Sequence, residues 1–137
     1  MAFSIKILTL YKDLNYSANK NVGINTNERL EKYTNGVSKH NMNPSLDEYL
    51  LDSVSCGYAI EKDNQIKPDY SIKAGKYFFV QGNVKTDNLK KAAESLWLES
   101  IWQEQQLDME TVYVRYIKED NEEVFQIFRK IISEPES

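Results

Sequence analysis

The chain has 137 residues, of which 41% are hydrophobic and 28% charged, values typical of one globular domain. Its formal net charge is −4, and no stripe of lysine and arginine runs through it, so we expect no direct binding of DNA or RNA. No segment approaches the roughly 20 apolar residues that span a bilayer, and no signal-peptide pattern is present. These features predict a cytoplasmic protein without membrane contact.

The residues that usually bind metals or carry out nucleophilic catalysis are scarce. The chain contains one cysteine, Cys56, and one histidine, His40. A single cysteine excludes an intrachain disulfide and a zinc site built from cysteines. Its alternating context favours a small core side chain at Cys56, whereas His40 fits a surface loop. Because phosphate-binding glycine loops and serine-centred hydrolase motifs are also missing, we predict no catalytic residue, no cofactor and no metal.

Alternating apolar residues predict three strands in the first two thirds of the chain. They cover residues 3–11, 53–60 and 70–81. The third strand contains Gly75, where the missing side chain permits an unusual backbone, so we expect a bend or bulge there.

The asparagine-rich residues 15–43 carry a weaker pattern. Within them Thr26 or Asn27 is a candidate N-cap for a short helix. That helix would carry Leu30 and Tyr33, which are three residues apart.

The clearest helical pattern begins at Thr86 or Asp87, either of which can cap a helix. The pattern ends near residues 103–106. Residues that recur at intervals of three and four define one apolar face: Leu89, Ala92, Ala93, Leu96, Trp97, Ile101 and Trp102. This face predicts a helix packed against the rest of the domain.

Two alternating segments at the end of the chain, residues 111–117 and 124–132, flank a charged turn and predict a β-hairpin. Strands, helix and hairpin together predict an α+β fold. We expect a single domain over residues 1–137, with an antiparallel or mixed sheet that carries helices on one face.

Three segments resemble the gyrase-inhibitor-like (GyrI-like) family of effector-binding domains. They are residues 72–79 (IKAGKYFF) with Gly82, the pair Trp97-Leu98, and residues 112–116 (VYVRY). The resemblance covers about residues 45–132. It implies two strand–helix–strand–strand halves around a groove that binds small, often aromatic or cationic molecules. Family members stand alone or are fused to DNA-binding domains of AraC- or MerR-type regulators, and a few are hydrolases.

Five aromatic residues in this part of the chain are our candidates for the walls of a ligand groove: Tyr77, Phe79, Trp97, Tyr113 and Tyr116. Aromatic rings offer a large contact area and a π face for cations. The alternative for each ring is a place in the core between helix and sheet.

The resemblance implies a stand-alone domain that binds a small aromatic or cationic molecule. It would act in transcription regulation as a sensor or sequestering module, without a DNA-binding domain of its own. The alternative is a protein-interaction module, like the gyrase inhibitor itself, that docks a partner through an aromatic patch. A hydrolase is the third interpretation. It is disfavoured because Val114 occupies the position where the family's hydrolases, and also its cation-binding members, commonly carry a glutamate.

Overall fold

The computed structural model describes residues 3–18, 24–34, 53–61, 66–108 and 111–133. In these residues the chain forms nine strands and one α-helix. The strands are β1 (Ile5–Leu10), β2 (Leu14–Ser17), β3 (Ile24–Thr34), β4 (Ser53–Ile60), β5 (Tyr70–Ile72), β6 (Gly75–Asn83), β7 (Gln106–Leu107), β8 (Thr111–Glu119) and β9 (Glu122–Ser133). The helix, α1, spans Leu89–Trp102 and lies between β6 and β7.

Every strand pair in the described part of the chain is antiparallel, and the neighbour order is β1-β6-β9-β8-β3-β4-β2-β5, with β7 attached to β9. β1 leads directly into β2, and β5 leads directly into β6. Because β1 pairs with β6 and β2 with β5, these four strands form one bent two-stranded ribbon. The ribbon pairs with β9 through β6 and with β4 through β2. The sheet therefore closes on itself, with an inner and an outer face.

The bend in the ribbon arises where the two strands differ in length. Leu10 pairs with Gly75, whereas Leu14 pairs with Ile72, so three residues on one side oppose two on the other. The Asp13 carboxylate accepts a hydrogen bond from the Ala74 amide at 2.8 Å, which holds the bend together. Gly75 has φ 148°, a conformation that side chains other than hydrogen disfavour. The predicted bend at Gly75 is confirmed.

The two faces of the sheet carry separate cores. The outer core lies between the sheet and α1, and its largest members include Phe78, Leu96 and Phe125. The inner core lies inside the closed sheet and contains Tyr77 and Phe128. Alternation along β6 sends neighbouring side chains to opposite faces, and burying each large apolar side chain contributes about 1.5–3 kcal/mol. The apolar runs in β6 and β9 are thus explained by burial on both faces.

The helix α1 begins later than the sequence predicts. Its N-cap is Asn88, whose Oδ1 accepts from the Lys91 amide at 3.1 Å. Asp87 instead accepts a hydrogen bond from the Asn83 amide at 2.7 Å and so holds the preceding turn. The helix ends at Trp102 with Gln103 as C-cap, as predicted.

Part of the predicted apolar face of α1 points to solvent. Ala92, Ala93 and Leu96 are buried against the sheet. Ile101 and Trp102, which were expected on the same face, are 56% and 83% exposed. The buried stripe is therefore narrower than the sequence pattern, and Ser100 completes it.

The predicted hairpin is confirmed by β8 and β9. Its two-residue turn consists of Asp120 and Asn121, which have φ values of 46° and 75°. Positive φ at both turn positions matches the twist of antiparallel strands, and aspartate and asparagine tolerate it.

The short helix predicted from Thr26 or Asn27 is wrong, because these residues lie in β3. Leu30 belongs to the inner core and Tyr33 to the outer core. Their spacing of three suggests one helical face, but on a strand it places the two side chains on opposite faces. Because β3 is buried on both faces, apolar residues three positions apart are also compatible with a strand.

The α+β class and the antiparallel sheet agree with the prediction. The described residues contain one helix, packed mainly against β6 on the outer face of the sheet. Along the chain, β6 is followed by α1, β7, β8 and β9. The two expected strand–helix–strand–strand halves and the groove between them stay a prediction, and residues 35–52, which separate β3 from β4, lie outside the described part of the chain.

Candidate functional site

A cleft of about 900 Å³ lies among β2, β3, β4 and β8. Four apolar side chains, Leu14, Ala59, Ile60 and Ile66, form part of its wall. The remainder is polar and includes five charged side chains: Lys12, Asp13, Glu28, Glu61 and Arg115. Small-molecule sites are usually lined mostly by apolar side chains with a few placed polar groups, so this cleft is more polar than a typical one.

The inner end of the cleft contains a charged pair. Arg115 Nε donates to Glu28 Oε2 at 2.7 Å, and the Tyr16 hydroxyl donates to the same oxygen at 2.9 Å. The side chains of Arg115 and Glu28 are 22% and 18% exposed, and Tyr16 is fully buried. One carboxylate oxygen therefore receives two hydrogen bonds at the point where the cleft meets the inner core.

Burial and charge act on this group of three side chains. Burial raises the pKa of the Tyr16 hydroxyl well above its usual range, and the negative charge of Glu28 raises it further. Burial is the largest single effect on the pKa of Arg115 and lowers it, but the hydrogen bonds and charges of Glu28 and Tyr16 together raise it by more, so the net pKa is raised. At neutral pH the arginine is charged and the phenol neutral, which keeps both as hydrogen-bond donors.

Arg115 also connects the cleft, along the inner face of the sheet, to side chains on β9 and β6. Its Nη1 donates to Gln126 Oε1 at 3.2 Å, and Gln126 Nε2 donates to Gln81 Oε1 at 2.8 Å. The strand register explains this row, because Arg115 pairs with Gln126 and Gln126 pairs with Gln81 on one face. The row fixes the position of the guanidinium from two sides.

Carboxylates outnumber cationic side chains around the cleft. Asp13 is held by the Ala74 amide and lies 3.5 Å from Lys73 Nζ. The hydrogen bond from the Ala74 amide is the main cause of its lowered pKa. Glu61 and Lys12 are exposed at the rim. With Arg115 paired with Glu28 and Asp13 with Lys73, the remaining charged side chains at the rim are Glu61 and Lys12.

Three of the five aromatic residues predicted for a ligand groove lie together on the inner face. Phe128 contacts Tyr77 and Phe79 with ring centroids 6.1 and 5.1 Å apart, both edge to face. Tyr113 pairs with Phe128 across β8 and β9. The Tyr77 hydroxyl donates to the Lys73 carbonyl at 2.6 Å, and burial raises the pKa of Tyr77 to about 12.

The other two predicted residues lie on the outer face. Trp97, on α1, has the Arg129 guanidinium 5.6 Å from its ring centroid. Tyr116 has the Arg29 guanidinium 4.0 Å from its ring centroid. The structure therefore divides the five rings between opposite faces of the sheet, and none of the five is among the residues that line the cleft.

The charged residues of the cleft were missed as a site by sequence reasoning. Arg115 lies between Val114 and Tyr116 on a mostly apolar strand. A charged residue in such a strand indicates a polar group on the face opposite to its two neighbours, which here is the inner face. Glu28 falls in the segment that the sequence favours as a helix. Only a strand over residues 24–34 brings Glu28 beside Arg115.

In the described residues, no group of three or more histidine, cysteine, aspartate or glutamate side chains is placed to hold a metal ion. His40 and the side chain of Cys56 lie outside the described part of the structure. No helix in the described ranges is long and apolar enough to cross a membrane.

No family model, curated protein or solved structure matches the chain. The resemblance to the GyrI-like family stays a prediction.

Proposed function

We propose that the protein is a stand-alone binding domain for a small organic molecule, which occupies the cleft among β2, β3, β4 and β8. The Arg115–Glu28 pair is the observation that carries this proposal. Partly enclosed ion pairs contribute little net stability, because desolvation offsets much of their attraction. An ion pair fixed by Tyr16 and Gln126 at the end of a cleft is therefore better explained by recognition than by folding.

The preferred ligand in this proposal is aromatic and cationic. Leu14, Ile60 and Ile66 supply an apolar wall for a flat ring, and the Glu61 carboxylate at the rim attracts a positive group. Tyr77, Phe79 and Tyr113 lie on the same inner face as Arg115 and form the aromatic packing behind the cleft. Trp97 and Tyr116 are on the outer face and are not part of the proposed site. The domain would act as a sensor or would sequester the ligand, in the manner expected for a regulatory binding domain.

A thermal-shift screen tests this function. The panel contains aromatic ammonium compounds together with neutral and carboxylate compounds of the same shape. A ligand that binds only the folded state raises the melting temperature by mass action, so the cationic members should give a dose-dependent rise. No rise across the panel, or an equal rise for the carboxylates, would contradict the proposal.

Two substitutions test whether the rise in melting temperature comes from binding in the cleft. Glu61→Gln removes a carboxylate from the cleft rim and should reduce the shift caused by the cationic compounds. Glu119→Gln removes an exposed carboxylate at the end of β8, outside the cleft lining, and should leave that shift unchanged.

A hydrolase is a weaker proposal. The family's hydrolases commonly carry a glutamate where this chain has Val114. Val114 is fully buried in the outer core, on the opposite face of β8 from Arg115. A side chain at this position faces away from the cleft, which favours binding over hydrolysis.

The second candidate function is a protein-interaction module. It is favoured by Leu98, Ile101 and Trp102, which are 48%, 56% and 83% exposed on α1. Binding at this surface would be lost on Trp102→Ala and retained on Glu61→Gln. Trp102→Ala and Glu61→Gln therefore separate the two candidate functions.

A further inference from the structure

The strand β3 carries a bulge where it borders the cleft. Asn25 and Arg29 pair with consecutive residues of β4, so residues 26–28 between them have no partner among the described residues of that strand. The Asn27 amide donates to Asn25 Oδ1 at 3.0 Å, which holds the bulge in shape. Bulges redirect side chains and are common beside functional sites. Glu28 is the last residue of this bulge, and its side chain lines the cleft.

The two oxygens of the Glu28 carboxylate have different surroundings. Oε2 accepts from Arg115 Nε at 2.7 Å and from the Tyr16 hydroxyl at 2.9 Å. Within the described ranges, no side chain or amide donates to Oε1. The Glu28 side chain is only 18% exposed, so a molecule that fills the cleft would shield Oε1 from water. A shielded carboxylate oxygen without a donor costs free energy, and the bound molecule has to supply that donor.

Arg115 changes what this carboxylate can select. Its guanidinium carries the opposite charge and lies 2.7 Å from Oε2, so the pair as a whole attracts a cation only weakly. A hydrogen bond to Oε1 depends instead on an N–H group at short range and in line with the oxygen. The inner end of the cleft therefore favours discrimination by hydrogen-bond donation, whereas the Glu61 carboxylate at the rim responds to charge.

We infer that the ligand of the cleft donates an N–H group to Glu28 Oε1, and that the site selects ammonium compounds with N–H groups over quaternary ones. This inference rests on the proposed function and refines it by naming the cationic group. Primary, secondary and tertiary ammonium ions carry a donor on the charged nitrogen. A quaternary ammonium ion has the same charge and no donor. Glu28 is thus the residue that determines specificity, and Glu61 attracts the charge.

Calorimetric titration with benzylammonium, benzyldimethylammonium and benzyltrimethylammonium at neutral pH tests the selection. The ions share a ring and a charge, and only benzyltrimethylammonium lacks an N–H group. The other two should bind about tenfold more tightly or better, because a hydrogen bond to a charged group contributes that much. Benzyldimethylammonium separates donation from size, since it is nearly as bulky as the quaternary ion. Equal affinities, or an order that follows size alone, would overturn the inference.

Two variants connect the preference to Glu28. In Glu28→Gln, the remaining oxygen still accepts from Arg115 and Tyr16, so the amide N–H groups take the place of Oε1 and the preference should be lost. Glu61→Gln should weaken the binding of all the ions and leave their ratio unchanged. The ratio is measured within each variant, so a loss of stability does not imitate the result, and melting temperatures verify that both variants are folded.

The outcomes separate this inference from the proposed function. An unchanged ratio in Glu28→Gln would overturn the inference and leave a cation-binding cleft in place. The absence of binding by every ion to the wild type would count against both.

Discussion

Arg115 Nε lies 2.7 Å from Glu28 Oε2, although 87 residues separate the two along the chain. The two side chains form a diagonal pair across β3 and β8, because Arg115 is in register with Leu30 and Glu28 with Ile117. Diagonal neighbours on adjacent strands are within reach of long side chains. The pair links two strands of the closed sheet and fixes the charged end of the cleft.

Glu28→Gln should destabilise the protein by about 2 kcal/mol. The change leaves the partly enclosed charge of Arg115 without its carboxylate partner. The loss of folding stability from breaking such a pair lies between the loss for an exposed ion pair and the loss for a fully buried one. Urea denaturation of the wild type, Glu28→Gln, Arg115→Gln and the double variant measures the coupling between the two residues. The exposed pair of Lys73 and Asp13 is the control, and Lys73→Gln should cost less than about 1 kcal/mol. Equal losses for Glu28→Gln and Lys73→Gln would contradict this prediction.

Gly82→Ala should destabilise the protein by about 1–3 kcal/mol or more. A Cβ at this position would overlap the Phe125 ring, which lies over Gly82 and is 1% exposed. Phe125→Leu should cost stability by itself, but it should reduce the additional loss caused by Gly82→Ala. Chemical denaturation of the four chains in this cycle measures the coupling. Additive losses would show that the ring and the glycine do not meet.

Stability should fall as the pH rises above about 10, and Tyr77 should account for part of the loss. Burial raises its pKa from 10.0 to about 12 in the folded protein. In this window the unfolded chain loses the proton that the folded chain retains, so deprotonation favours unfolding, by at most about 3 kcal/mol for a shift of this size. The pKa values of Tyr16 and Tyr116 are also raised in the folded protein, chiefly by burial.

Denaturation at about pH 8 and about pH 11 checks this dependence. Tyr77→Phe should lose about 1 kcal/mol at the lower pH with its hydrogen bond to the Lys73 carbonyl, and should show a smaller further loss at the higher pH. Tyr11→Phe, at an 88% exposed position, is the matched control. An unchanged pH dependence in Tyr77→Phe would count against a buried, neutral phenol.

Asn88→Ala should cost about 1 kcal/mol, because Asn88 Oδ1 caps α1 by accepting from the Lys91 amide. Thr86→Ala should cost less than about 0.5 kcal/mol, because Thr86 is exposed and precedes the cap. Thermal denaturation of both variants compares the observed cap with the one that the sequence suggests. A larger loss for Thr86→Ala would contradict the position of the helix start.

Local patterns were sufficient for much of the secondary structure. The alternation in β4, β8 and β9 and the three-and-four spacing in α1 follow from burial of one face, which a single segment reveals. The segment over Leu30 and Tyr33 was misread because both faces of β3 are buried, so its apolar spacing carries no strict period of two. Closure of the sheet depends on the pairing of β2 with β4, a contact between distant segments that local periodicity does not contain.

The site was harder to predict than the fold. The sequence predicts a groove lined by aromatic rings, but strand alternation places Tyr113 on the inner face and Tyr116 on the outer face of β8. The cleft instead depends on Glu28 and Arg115, whose meeting requires the β3–β8 register. No single segment of the sequence contains that information.

The most direct test of the proposed cleft is a nuclear magnetic resonance titration of the labelled protein with an aromatic ammonium compound. The backbone amides of Ala59 and Glu61 and the Arg115 Nε–H group serve as reporters. Binding in the cleft predicts saturable shifts at these three positions and none along Leu98, Ile101 and Trp102. Shifts confined to α1, or no saturable shifts at all, would contradict a small-molecule site in the cleft.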